Sequence, residues 1–436
     1  MNGMKRSQGL SIFAAIAFAV GNMVGAGVFV LSGLMIKQTG PAAVLSYLIC
    51  GVLVAFSGLS YAALASIFPE DGGGYLYTRH ILGNRLGFIA GWSMYISEMV
   101  VTSFVLLGLG IYLNLLIGAN LDHRLGALAA VVFLTVINLR GLSEAGKIEV
   151  ILVMAKVAIL TLLVLAGLMH VTGSDFLPLM PHGQGAVFNG IAMVFFAYIG
   201  FQVVAMMGGE IKGASKNVPI ATLASIGIVA ILYIGVIVAL LSANLPAYGS
   251  TSVFDAAVVL LGAFGGTIVA LAAVISTLSA ANANIIGASR VIMEMAREEQ
   301  IPGRIAKLKD GQPLNSILLG SAAMIILIIY GSLNFIVDLT NVLVLVTMFL
   351  VNVSALMLFR GKSLPQDKSY FRIPLGAVFP SLGAISCLIM LGTIDLTTLI
   401  LGFIVLMAGM SFYFIEDTPA GKESLMEIKR MMRKLE

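Results

Sequence analysis

The stretch Gly21-Asn22-Met23-Val24-Gly25-Ala26-Gly27-Val28-Phe29 interrupts an apolar run that extends from Leu10 to about Ile36. A second apolar run, from Ala186 to about Gly209, is interrupted at Tyr198-Ile199-Gly200-Phe201 and ends on Gly208-Gly209. Breaking a helix inside lipid frees N–H and C=O groups that lipid cannot satisfy. Such breaks survive only where they are buried in protein or line a polar cavity. Matched breaks in the two halves of a chain mark a transporter's binding site near the bilayer midplane.

The rest of the chain agrees with a membrane setting. It is 59% hydrophobic and 11% charged over 436 residues, where a soluble protein carries about 25% charged residues. Apolar runs of at least ~18 residues predict twelve transmembrane helices: roughly 9–36, 41–68, 84–117, 125–140, 146–170, 186–210, 217–243, 253–298, 314–332, 335–359, 373–393 and 395–416. Alternating the loops puts all of the 25 lysines and arginines on one side except Lys37, Arg124 and the intramembrane Lys156. By the positive-inside rule both termini are expected in the cytoplasm. The net charge of +4 then reflects topology and gives no reason to expect nucleic acid as a partner. Cys50 and Cys387 fall in spans and His80, His123, His170 and His182 do not cluster, so neither a disulfide framework nor a metal site is expected. No cleavable signal segment is expected at the N-terminus.

Helices 1–5 and 6–10 form two candidate repeats, about 9–170 and about 186–359, with helices 11 and 12 appended over about 373–416. An odd number of helices per repeat inverts the second one in the membrane, as a five-plus-five inverted repeat requires. One transmembrane domain therefore spans 1–418, followed by a basic cytoplasmic tail over 419–436. In that tail Leu425, Ile428, Met432 and Leu435 recur at helical spacing. Gly83, Gly87 and Gly91, with Gly108 and Gly110 further on, read as close helix packing.

The first break predicts a specific geometry. Where the helix resumes near Ala26 and Gly27, its first N–H groups have no intrahelical partner and suit a carboxylate. Carbonyls released near Met23, and near Phe196 and Ile199 in helix 6, suit an ammonium. Small residues at Gly25, Ala26 and Gly27 let a ligand reach the backbone. A site that takes both groups reads as an amino acid site, with Phe196 and Tyr198 as aromatic walls or gates beside Gly200.

Lys156 lies nine residues beyond Lys147, about 14 Å at ~1.5 Å per residue, near the middle of a core ~30 Å thick. A lysine there is a functional candidate by default, as a proton carrier or as a fixed ammonium bound to carbonyls. Glu98 is the other deep charge, a candidate for substrate contact, proton exchange or a structural pair. Glu210 is a gate candidate below the second break. Ser276, Thr277, Ser279, Asn282 and Asn284 bring hydroxyls and amides into helix 8, for an ion site or for hydrogen bonds between helices.

These residues resemble the amino acid–polyamine–organocation superfamily of secondary transporters. The stretch 21–29 resembles its helix 1 signature, closely that of arginine–agmatine antiporters. Phe195-Phe196-Ala197-Tyr198-Ile199-Gly200-Phe201, Gly209-Glu210-Ile211-Lys212 and Asn217-Val218-Pro219 resemble helix 6 and the segment after it. Gly287-Ala288-Ser289-Arg290, Met295-Ala296-Arg297 and Pro302 resemble the end of helix 8. The resemblance implies a leucine-transporter-type fold, alternating access, and a substrate carboxylate on the amides of Ala26 and Gly27. The substrate ammonium would meet the carbonyls of Met23, Phe196 and Ile199. It further implies that the Lys156 ammonium replaces a sodium ion between helices 1 and 8. Phe196 and Gln202 depart from the tryptophan and the acidic residue of arginine antiporters, which argues against arginine–agmatine exchange.

The expectation is therefore an all-α, sodium-independent amino acid transporter of the inner or plasma membrane, with no cofactor and with protons as co-substrate. The alternative is an exchanger or exporter of neutral amino acids or related amines. An enzyme is disfavoured, because the spans hold no nucleophile–base pair, carboxylate pair or histidine cluster. A binding-only sensor would retain the site without flux.

Overall fold

The computed structural model describes residues 9–140, 145–301, 305, 308–309, 312–360 and 370–417. The predicted tail helix, Pro302 and the N-terminal Lys5 and Arg6 lie outside the described residues. The first helix, α1 (Ile12–Met23), starts where Ser11 accepts the N–H of Ala14 at 3.2 Å, the usual role of an N-cap serine. It stops at Met23, and the chain resumes as a π-helical turn over Gly27–Leu31 that leads into α2 (Ser32–Thr39). There follow α3 (Ala43–Ile67), α4 (Gly74–Leu82), α5 (Asn84–Ile117), α6 (His123–Arg140) and α7 (Ala145–His170). The second half contains α8 (Gly183–Tyr198), α9 (Val203–Met206), α10 (Ala214–Ser242) and α11 (Ser252–Arg297). It closes with α12 (Leu314–Tyr330), α13 (Leu333–Arg360), α14 (Val378–Leu391) and α15 (Leu396–Asp417). One two-residue antiparallel pairing joins Leu308–Lys309 to Gln312–Pro313.

Among the described residues, seven helical stretches are long and apolar enough to cross a membrane, and α14 with the start of α15 forms a pair bent by 117°. His123–Leu139 and Leu314–Tyr330 are shorter apolar helices. The stretch Ile12–Ile67 divides at the turn around Gly40, so each of the twelve runs read from the sequence contains a helix. The run 253–298 is too long for one straight crossing, and the chain bends within it at Gly262, whose φ is 76°.

The packing carries the signature of an internal two-fold. Elements near such an axis touch their own symmetry mates. Here α3 packs along α10 and α5 along α11, while α8 meets the π-helical turn after α1. Those are the pairs that a five-helix offset predicts. The outer face of α7 exposes Ile151, Leu162, Leu165 and Met169, an apolar surface suited to lipid. Its inner face buries Lys156, which is only 1% exposed.

Candidate functional site

The two breaks face each other. Gly200 has φ 134°, a conformation that favours glycine, and a Cβ there would lie 2.9 Å from the Met23 nitrogen. A Cβ on Gly27 would lie 2.9 Å from the Cα of Ala197. Glycine at both positions is what lets the two broken helices approach backbone to backbone. Asn22 Nδ2 donates across the gap to the Gly200 carbonyl at 3.4 Å.

Ending a helix at Met23 releases carbonyls that need partners, and three neighbouring helices supply them. Lys156 of α7 donates to the Gly21 carbonyl at 2.6 Å. Ser276 of α11 donates to the Val24 carbonyl. The Tyr233 hydroxyl of α10 lies 2.6 Å from the Met23 carbonyl and 2.9 Å from the Ala197 carbonyl. Its single proton is thus shared between the two breaks and ties them together. A buried ammonium requires such partners, because an unpaired buried charge is expensive.

A small cavity lies between the breaks. Its lining includes Met23, Gly25, Ala26, Gly27, Phe196 and Ile199, together with Asn22, Val101, Val105, Ala197 and Asn284. The sequence-predicted backbone positions are therefore brought together. Some of their carbonyls are already engaged: Met23 accepts the N–H of Gly25 at 2.8 Å, and Phe196 accepts that of Ile199 at 3.2 Å. Phe196 packs edge-on against Phe104 of α5, with ring centroids 4.6 Å apart.

Tyr198 does not line the cavity. Its hydroxyl donates to the Tyr47 carbonyl at 3.0 Å, and its ring joins Tyr47 and Tyr233 in a buried cluster. Glu98 and Gln202 are also outside the lining, although Glu98 shares the α5 face of Val101 and Val105. Gln202 Oε1 accepts the Gly200 N–H at 2.9 Å, and its Nε2 points to Glu98 at 3.5 Å. Gln202 thus supports the second break and connects it to the carboxylate of α5. Gly200 contributes to the approach of the two helices and not to the cavity wall.

Glu210 sits in a separate seam at one end of the bundle. Its carboxylate pairs with Arg290 Nε at 2.8 Å. Its carbonyl accepts the Leu10 N–H at 2.9 Å, and Lys212 returns a bond to the Leu10 carbonyl at 3.0 Å. Asp71 Oδ1 accepts the Gly209 N–H at 2.9 Å. Burial, and then the nearby Glu210 charge, push the Asp71 carboxyl above its ordinary value, against the Gly209 hydrogen bond and Arg290 and Arg297. The seam ties the start of α1, the turn before α4, the segment after α9 and the end of α11.

Sequence reasoning missed Tyr233, which sits in the otherwise apolar stretch 226–241 of α10. The one available signal was its phenol, since a buried tyrosine hydroxyl usually finds a partner.

The model of the amino acid permease family matches residues 10–417. The chain belongs to that family. A methylthioribose transporter of Bacillus subtilis is 27% identical to it, over 93% of this chain and 92% of the relative. The serine/threonine exchanger SteT of the same organism is 29% identical, over 69% of this chain and 70% of the relative. Among solved structures, a mutant manganese transporter of Eremococcus coleocola superposes with a TM-score of 0.61 at 13% identity, covering 93% of each chain. At that identity the likeness bears on fold alone. The permease is an all-α, multi-pass membrane protein of leucine-transporter-type fold, a transporter and not an enzyme. The family's activity is amino acid transport, yet the names of these relatives differ in cargo, so the cargo must be argued from the site.

Proposed function

We propose that this permease is a secondary active transporter of amino acids, sodium-independent and proton-coupled, working by alternating access. It would cross the cell membrane twelve times with both termini in the cytoplasm. The substrate's carboxylate would meet the amides of Ala26 and Gly27, and its ammonium the carbonyls of Met23, Phe196 and Ile199. Opening and closing would remodel the contacts that now occupy two of those carbonyls. The Glu210–Arg290 seam would be the gate on the cytoplasmic side.

The observation that carries this reading is the treatment of the carbonyls freed at the end of α1. Lys156 delivers an ammonium to Gly21, and Ser276 delivers a hydroxyl to Val24. A side-chain cation there would take the place of a bound sodium ion, and its loss and gain of a proton during the cycle would couple transport to the proton gradient. The adjacent cavity is lined by backbone from both breaks and suits the two charged ends of an amino acid.

Exchange is the second reading, supported by the likeness to a relative named a serine/threonine exchanger. Uptake of labelled amino acids into liposomes separates the two. Accumulation into empty liposomes under an inward proton gradient, unaffected by sodium, supports symport. Uptake only into amino-acid-preloaded liposomes, indifferent to the gradient, supports exchange. No flux of any amino acid under either condition would refute transport.

A further inference from the structure

Resting on the amino acid reading above, we infer that the substrate is a small neutral amino acid whose side chain carries a hydroxyl, and that Asn284 of α11 recognises this group. Ala280, Asn284 and Gly287 recur at helical spacing and form one stripe of α11. A Cβ on Gly25 would lie 3.2 Å from Ala280 Cβ, and one on Gly287 would lie 3.2 Å from Met206 Sδ of α9. The stripe therefore runs past the first break and on to the segment after the second. Asn284, between those two contacts, is a wall of the cavity.

Asn284 is 2% exposed, and its Oδ1 is buried without a hydrogen-bond partner. Leaving such a group unpaired is costly, so an amide in this position is one that a ligand completes. Asn22 also has an unpartnered Oδ1, but it sits on the break itself beside Met23. That places it at the end of the cavity where the substrate's ammonium would lie. Asn284 comes from a different helix and is left for the side chain.

The remaining walls set size and charge. Val101, Val105 and Phe196 are apolar and at most 6% exposed, and Phe196 is backed by Phe104. Among the described residues no charged side chain lines the cavity. A cationic or anionic substrate side chain would be buried there without a counter-charge. An aliphatic side chain would fit the valines and leave the Asn284 amide unpaired. A hydroxyl, both donor and acceptor, satisfies that amide in either orientation and adds almost no volume.

Threonine and valine have the same shape and differ by that hydroxyl, so competition between them reads the contact directly. Each is titrated, unlabelled, against uptake of a labelled amino acid into liposomes by the wild-type protein, by Asn284→Leu and by Asn284→Ser. The wild type is expected to prefer threonine by about five- to a hundredfold, the cost of leaving a buried neutral group unpaired when valine binds. Asn284→Leu is expected to erase or reverse that preference, and Asn284→Ser to retain part of it. If Asn284→Leu does not fold, the wild-type ratio and Asn284→Ser decide. Equal competition by the two amino acids, or a preference unchanged in the variants, overturns this assignment while amino acid transport stands. Absence of uptake of every amino acid in the wild type overturns both.

Discussion

Replacing Gly27 by alanine adds one methyl group at the closest approach of the two breaks. The new Cβ would lie 2.9 Å from Ala197 Cα and 3.1 Å from Ala197 Cβ. Both are well inside the ~3.5–4.0 Å at which carbon atoms are comfortable. The obstruction includes backbone, so no rotamer change relieves it and the two segments must separate by something under 1 Å. Overpacking of this kind costs about 1–3 kcal/mol. The higher helix propensity of alanine returns at most ~1 kcal/mol. A substrate held by backbone groups of both breaks also loses contact as they part. Stability should therefore drop by roughly 1–2 kcal/mol, and apparent affinity for amino acid should fall with it as the breaks part. The control is Gly227→Ala in α10, where an added Cβ has nothing within 4 Å and propensity alone acts. Thermal unfolding in detergent and concentration-dependent uptake in liposomes measure both effects. Gly27→Ala with wild-type affinity and stability would refute the close approach and the site built on it.

Tyr233→Phe removes the hydroxyl shared between Met23 and Ala197 and should destabilise the fold by about 1–3 kcal/mol. The melting temperature should drop and uptake should be impaired, whereas a silent variant would mean the breaks are not held by this bond. Asp71→Asn keeps an acceptor for the Gly209 N–H and removes a charge that burial and Glu210 disfavour. Because the folded carboxyl titrates above its unfolded value, wild-type stability falls as pH rises through that raised value. The variant should therefore be the more stable protein near neutrality, with the difference vanishing in acid where the wild type holds its proton. A melting-temperature profile against pH checks this, and an advantage confined to acid would contradict it. Arg290→Gln leaves Glu210 without its cation in the seam and should accelerate exchange of the Leu10 and Lys212 amide hydrogens. Unchanged exchange there would separate the salt bridge from the main-chain seam.

Much of the fold was legible because lipid removes alternatives. Long apolar runs must be helices, and a glycine-rich interruption must find its hydrogen bonds in protein. The positions 23–27 and 196–199 could be named from that argument alone. Lys156 was legible for the same reason, since its depth required partners, and one of them is the Gly21 carbonyl. Partners supplied across helices were not legible. Ser276 was legible as a hydroxyl for an ion site or a bond between helices, but its partner on α1, like that of Tyr233, depends on how α10 and α11 pack. Of the two aromatics expected as walls or gates, Phe196 lines the cavity and Tyr198 does not. Two residues apart on a helix lie about 200° around its axis, so only one could point at the first break. Glu98 and Gln202 were legible as deep polar groups. Their orientation toward one another, outside the cavity lining, depends on the register of α5 against the second break.

The central claim is that the substrate lies between the two breaks, against the α5 wall. Val101 lines that cavity and leaves room for the smaller cysteine side chain, and the natural thiols of Cys50 and Cys387 are buried. In Val101→Cys protein reconstituted in liposomes, the rate of modification by a small thiol reagent should fall as transported amino acid is added. Protection should saturate at the concentration that half-saturates uptake, and sodium should not alter it. A modification rate unchanged by an amino acid that the same liposomes accumulate would place the substrate elsewhere and contradict the account.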